Sequence, residues 1–319
     1  MNVSALLVRR ALLGLPTIAG IALVVFLILL VVPGTPADLI QGEMVNPKVT
    51  EALIEQWGLD QPPLIRLLRW GGSVLRFDLG RSLVTGRPVS EMLLPRLAYS
   101  VYLGILGLAL GVAIGIPAGI LSAIRPNTWL DYAVTMVALF GISLPTFMIG
   151  LVLQLTFAYH WRIFPISGAS SSLWDIQSLR FAVLPALSVA GSQAAINARM
   201  VRTTMLEIIH EDYIRTARSK GLNEIRVIVK HALPNVLIPV VTLLGVYAKS
   251  IISGLLLVEI VFSWPGTGRL FYEAVLQRDY PVIQGVALVI AIAIYVVNLI
   301  VDLLYSYLDP RVRVEAEVQ

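Results

Sequence analysis

The chain has 319 residues, 57% of them hydrophobic and 14% charged, with a formal net charge of +4 and no cysteine. Soluble domains carry about 25% charged residues, so the surplus apolar surface calls for lipid and not for a larger core. Disulfides, thiol catalysis and cysteine-held metals are excluded, long unbroken apolar runs exclude a β-barrel, and a small charge split among loops speaks for membrane orientation over nucleic-acid binding.

The pattern predicts an all-α integral membrane protein with six transmembrane helices, at roughly 10–32, 99–123, 131–159, 181–203, 236–261 and 282–307. The first follows Arg9-Arg10 and is an apolar run of 22 residues from Ala11 to Val32, about 33 Å of helix against a hydrocarbon core of about 30 Å. Pro33-Gly34-Thr35-Pro36 follows it in place of a small-residue cleavage site, so residues 1–32 are expected to remain as an uncleaved N-terminus and first span. Residues 33–98 form an extracytoplasmic segment of mixed charge, rich in Pro and Gly turn signals, too short to be an enzyme domain. Within it "VTEALIEQW" has helical spacing, with Leu53, Ile54 and Trp57 on one side.

Residues 99–307 form the membrane core, with a cytosolic loop over 204–235, and residues 308–319 a cytosolic tail. With both termini inside, the inner segments hold Arg9, Arg10, Arg125, seven Lys/Arg from Arg199 to Lys230, Arg311 and Arg313. The short outer loops hold Arg162, Arg180, Arg269 and Arg278; the long outer segment holds seven more, but long loops count weakly, so both termini are expected inside. Trp129, Trp161 and Trp264 fall at span ends, where indole rings anchor to the interface. Pro145 is expected to kink the third span.

In the fourth span Ser188, Ser192 and Gln193 share a helical side and Asn197 lies four residues beyond Gln193, a polar run that either lines a path or bonds between helices. In the fifth, Lys249 stands where a charge costs about 2.5–3.5 kcal/mol to insert. It either faces a translocation path and an acidic group or carboxylate of the cargo, or pairs across the subunit interface or snorkels. Ser250 and Ser253 follow on the same candidate path, and Gly254 permits close helix approach. Asp302, near the inner end of the sixth span, can take a proton, pair with an arginine or serve as an anchor.

The loop reads "DYIRTARSKGLNEIRVIVKHALPN", Asp212 to Asn235. Leu206 to Lys220 is expected as a helix, with Glu211 four residues before Arg215 in the favoured order. Gly221 supplies the left-handed end, Asn223 caps a second helix to about Ala232, and Pro234 marks a break or restart. Two rigid rods with a fixed bend would carry force from the cytosol into the fifth span. Tyr213, Ala217, Gly221, Leu233 and Pro234 suit insertion into a partner's groove by their apolar bulk and bend. Glu211, Arg215, Arg218 and Lys220 either touch that partner or form a solvated face, Asp212 is counted with the coupling residues, and His231 reads as a packing or capping residue.

Permease subunits of ABC importers carry Glu-Ala-Ala-x3-Gly-x9-Ile-x-Leu-Pro on their cytosolic side, and this sequence resembles it. Gly221 is followed by nine residues and then by His231-Ala232-Leu233-Pro234. The first triplet is Arg215-Thr216-Ala217 and His231 stands where Ile is usual, departures that fit the peptide-importer branch. "GLDQPPLIRLLRWGGSVLRFDLGRSL" (58–83), "GISLPTF" (141–147), "VEIVFSWPGTGRL" (258–270), "RDYPVIQG" (278–285) and "VDLLYSYLDPRVR" (301–313) also resemble the dipeptide, oligopeptide and nickel permease family. "VVPGTPA" departs from that family's Gly-Asp-Pro at Thr35.

The resemblance implies a type I ABC importer permease of the bacterial inner membrane, contributing half of a pore for di- or oligopeptides. It implies a second related permease, two ATPase subunits that bind ATP and Mg on the cytosolic face, and an extracytoplasmic solute-binding protein. A nickel chelate, glutathione or an opine-like solute is the alternative cargo; a channel or secondary transporter is a distant alternative. No lysine follows a glycine in a phosphate-binding pattern, so ATP hydrolysis belongs to partners and no cofactor is expected in this chain. His160, His210 and His231 form no His-Glu-x-x-His, which disfavours a membrane enzyme.

Overall fold

The computed structural model describes residues 3–31, 47–170, 172–173 and 175–308. Thr35, most of the 308–319 tail and the side chains of Ser250 and Ser253 lie outside what is described. The elements in order are α1 (Val3–Val31), α2 (Pro47–Trp57), α3 (Pro63–Val74), α4 (Val89–Ile124), α5 (Trp129–Ser143) and α6 (Thr146–Leu153), which runs on as a π-helical turn, Gln154–His160. There follow α7 (Ile176–Ile208), α8 (Asp212–Ser219), the single turn α9 (Glu224–Arg226) with a π-helical extension Val227–Ala232, α10 (Leu233–Val261), α11 (Thr267–Leu276) and α12 (Tyr280–Leu308). Five helical stretches are long and apolar enough to cross a membrane, or six when α5 and α6 count as one broken span.

Three expectations are corrected. The third span is not a kinked rod: Leu144 and Pro145 are extended, and α5 and α6 meet at 115°. Pro145 cannot accept helical geometry on its preceding residue, so the chain turns where a kink was expected. The helix expected over 206–220 is two helices, α7 ending at Ile208 and α8 starting at Asp212 after an extended Glu211. Of the break and the restart expected at Pro234 the structure has the restart: Pro234 occupies the first turn of α10, where its missing N–H costs nothing, directly after the π-helical Val227–Ala232. Trp264 is fully buried and stacks on Tyr102 with ring centroids 6.4 Å apart, so it is a core residue; Trp129 and Trp161 are exposed.

Two compact units divide the chain, Met1–Ser100 with Pro265–Leu299, and Val101–Trp264 with Ile300–Gln319. In the first, the start of α4 packs on α11 and the start of α12 through Val89, Leu93, Leu270, Ala274, Ile283 and Val286. The buried Asp279 carboxylate accepts from Ser82 Oγ and from Leu83 N at 3.1 Å, pinning the loop before α4. Gly58, at φ +63°, ends α2 in the left-handed conformation that its missing Cβ allows.

In the second unit α4 and α7 approach closely. Gly107, Gly111, Gly115 and Gly119 recur every four residues on α4, and a Cβ on any of them would meet α7 within 3 Å. Such small-residue ridges let membrane helices gain packing contacts that hydrophobicity alone does not supply in lipid. At the inner end of this pair Ala123, Val201, Met205, Ile214, Ala217, Val227, Ala232 and Val236 form one buried cluster.

Candidate coupling element and polar groups of the spans

The cytosolic loop is an elbow seated on the chain's own core. Ile214 and Ala217 lie on one side of α8 and are buried with Val227 and Ile228 of the second rod. Burying a side chain of isoleucine size stabilises by about 1.5–3 kcal/mol, so α8 is clamped although it has only eight residues. Gly221 at φ +74° turns the chain, and no atom lies within 4 Å of where its Cβ would be. Asn223 then caps the second rod by accepting from Ile225 N at 3.1 Å.

Two side-chain links lock the bend. Arg218 donates from Nε to Glu224 Oε2 at 3.1 Å and from Nη2 to Oε1 at 2.6 Å, spanning Gly221. Hydrogen bonding to Glu224 raises the Arg218 pKa above its ordinary value, so this cation is constant at any working pH. Asn235 Nδ2 donates to Tyr213 Oη at 2.8 Å, tying α8 to the first turn of α10. Asp212, Tyr213, Arg215, Gly221 and Pro234 are exposed, and Leu233 is half-buried. Ala217 faces inward: it seats α8, and it offers no bulk to a partner's groove. The Arg218–Glu224 pair was not foreseen from the sequence, although both residues flank the glycine turn at a spacing that a bend brings together.

In α7, Ser192 is half-buried, whereas Gln193 and Asn197 are buried against α4. Asn197 Nδ2 donates to Gly111 O at 3.4 Å, and Gln193 lies against Gly111. Gln193 Nε2 and Asn197 Oδ1 are buried with no hydrogen-bond partner among the described residues. Ser188 Oγ bonds back to Pro185 O at 2.7 Å.

Lys249 Nζ lies 3.1 Å from Asp302 Oδ1, joining the fifth and sixth spans within one chain. Neither residue's reading had named the other. Ala248 and Val301, their sequence neighbours, line an apolar cavity of about 660 Å³ with Ile105, Leu108, Val112 and Leu244. Among the described residues no three His, Asp or Glu side chains gather to hold a metal ion.

A second ion pair, with a buried carboxylate, was missed altogether. Asp131, at the first turn of α5, accepts from Arg202 of α7, from Ser122 Oγ of α4 and from Asn127 N at 2.9 Å. The available signal was a lone aspartate at the head of an apolar span, which must find a partner.

The fold agrees with what the chain is similar to. Residues 115–314 match the profile of the family described as binding-protein-dependent transport system inner membrane component. An oligopeptide transport system permease protein, AppB of Bacillus subtilis (strain 168), is 37% identical over 97% of this chain and 99% of its own length. Dipeptide transport system permease proteins named DppB are 39% identical in Alkalihalophilus pseudofirmus and 37% in Escherichia coli (strain K12), each over 96% of this chain and 98% of theirs. A chain of the inward-facing MetNI methionine ABC transporter superposes with a TM-score of 0.52 at 18% identity, covering 68% of this chain and 96% of that one. At that identity the likeness concerns fold alone, and the fold is that of a type I importer permease.

Proposed function

We propose, from the premise that the chain belongs to the family of binding-protein-dependent transport system inner membrane components, that it is one permease of an ATP-driven importer for di- or oligopeptides. The observation that carries the cargo is similarity to oligopeptide and dipeptide permeases along essentially the whole chain, not in one motif. The chain is a multi-pass membrane protein without catalytic work of its own. A second, related permease completes the pore, two ATPase subunits bind ATP and Mg at the cytosolic face, and a solute-binding protein delivers cargo outside.

The elbow is the docking element. Closure of the ATPases pushes on the exposed face of Asp212, Tyr213 and Arg215. Gly221, Leu233 and Pro234 form the bend and the root of α10, and the contiguous helical segment from Glu224 to Val261 passes the push into the membrane. Lys249 with Ser250 and Ser253 on α10, and Ser192, Gln193 and Asn197 on α7, are the candidates for the path. There the Lys249–Asp302 pair can exchange for the carboxylate and ammonium of a peptide. Gln193 and Asn197 carry unfilled bonding capacity that a change in α4–α7 packing would release.

The test is reconstitution. Purified with its co-purifying subunits in proteoliposomes, the chain should support ATP-dependent uptake of radiolabelled di- or oligopeptides when the solute-binding protein is present. Uptake of a nickel chelate or glutathione with no peptide uptake would overturn the cargo. Purification with no ATPase or second permease, under conditions that keep the chain folded, would overturn the assembly.

A further inference from the structure

We infer that α3 and the residues just beyond it form an amphipathic anchor lying in the lipid interface of the leaflet that the C-terminal end of α1 reaches, with phospholipid as partner. The two most exposed large apolar side chains among the described residues stand here, Phe77 at 94% and Leu75 at 84%. Leu64 and Leu68 are exposed beside them. At about 100° per residue Leu64, Leu68 and Leu75 share a stripe within about 40° of helix face. Arg66 and Arg69 fall on the opposite side, Arg76 follows, and the helix carries no acid.

Trp70 sets the depth. Its indole stacks on Phe26 of α1, ring centroids 6.5 Å apart, and Phe26 is five residues, about 7.5 Å of helix, before the end of that span at Val31. A helix tied there lies at the boundary between hydrocarbon and headgroups, and counting basic residues makes that boundary the outer one. The Phe26–Trp70 contact ties α3 to a spanning helix whose Val24, Leu27, Ile28 and Val31 are exposed, residues that such a helix turns to lipid. That tie selects lipid over the solute-binding protein as the occupant. On the other side, arginine stems reach along apolar surface and leave their guanidinium groups at lipid phosphates and water.

The backbone after α3 holds the tip outward. Phe77 adopts φ +61°, a conformation unusual for a bulky residue, and it is fixed by Phe77 N to Val74 O at 2.9 Å and Asp78 N to Ser73 O at 3.0 Å. The result is a phenyl ring presented to the surroundings with almost none of it packed on the protein. An exposed aromatic beside an exposed leucine suits insertion below the headgroups. This anchor is independent of cargo and of the elbow.

Because the chain has no cysteine, Leu68→Cys, Phe77→Cys and Arg69→Cys each place one nitroxide label in it, with partner subunits made cysteine-free. The assembled transporter is placed in vesicles of phosphatidylethanolamine and phosphatidylglycerol, and relaxation by oxygen, which partitions into lipid, is compared with relaxation by water-borne chromium oxalate. Oxygen should dominate several-fold at positions 68 and 77, and chromium oxalate at 69. Bimane on Phe77→Cys should also be quenched by acyl-brominated lipid. Chromium oxalate dominating at 68 and 77 would overturn the anchor. So would protection from both relaxants that appears only when solute-binding protein is added, since that marks a protein interface.

Discussion

Arg202 grips Asp131 with two parallel hydrogen bonds, Nε to Oδ1 at 2.6 Å and Nη2 to Oδ2 at 2.8 Å. The pair joins the inner end of α7 to the first turn of α5, and Ser122 draws α4 into the same knot. It sits beside the cluster that seats the elbow: Val201, next to Arg202, and Ala123, next to Ser122, are both members.

Removing one partner of a buried pair strands the other charge and costs about 3–5 kcal/mol. Arg202 keeps 30% of its side chain exposed, so Arg202→Met should fall at the low end, about 3 kcal/mol. Asp131→Asn should cost less, because an amide can still bond Ser122. Thermal unfolding of the detergent-solubilised complex measures both. The double variant should be more stable than the sum of the single effects; strict additivity would show that the two groups do not interact.

The glycine ridge of α4 gives a graded test. A Cβ at Gly115 would lie 2.6 Å from Ala194 O and one at Gly119 2.5 Å from Ala198 O, both backbone atoms that cannot rotate away. At Gly111 the obstacle is the Gln193 side chain, which can. Gly115→Ala and Gly119→Ala should therefore destabilise by about 1–3 kcal/mol, Gly111→Ala by less. Gly20→Ala on α1, with nothing within 4 Å, should be neutral. Equal melting temperatures across the four variants would refute the close approach.

The apolar runs made the spans legible, because length and composition alone decide whether a helix can cross lipid. Gly221 was legible for a different reason: a left-handed turn after a polar helix needs that residue. What sequence spacing hid were relations between distant residues. Lys249 and Asp302 are each anomalous in an apolar helix, but nothing local says they meet. Asp131 and Arg202 pair across 71 positions, and the inward side of α8 follows from core packing, so Ala217 looked available when it was not. Pro145 and Pro234 read alike as local breakers. One sits between two helices and separates them by 115°, and the other sits at N1/N2, where proline is tolerated.

Lys249 and Asp302 should be separable into a structural and a transport contribution. Lys249→Met alone takes from Asp302 its bond to the ammonium inside the spans, so the yield of assembled complex should fall. Adding Asp302→Asn removes the carboxylate charge that faced the ammonium and should restore the yield. If the pair opens to receive a peptide's charged ends, the restored double variant will still show an apparent KM for uptake raised several-fold, with ATPase activity unchanged. Full recovery of uptake kinetics in the double variant would reduce the pair to a structural strut.

The elbow is most sharply tested at Gly221. Its φ of +74° is open to glycine and tolerable for asparagine, while a β-branched residue there costs about 1–2 kcal/mol. No neighbouring atom obstructs a Cβ, so Gly221→Val strains the backbone without a steric clash. The buried anchors Ile214 and Val227 remain on either side, and the chain should still fold and insert. The strain is relieved by re-angling α8 against the second rod, which moves the exposed face of Asp212, Tyr213 and Arg215. Expected is normal membrane yield with ATP-coupled uptake reduced at least tenfold, and near-normal uptake for Gly221→Asn. Releasing the brace with Arg218→Ala should give a milder loss, since exposed ion pairs contribute little. Unimpaired coupled uptake in Gly221→Val at normal yield would mean that the bend does not transmit the motion.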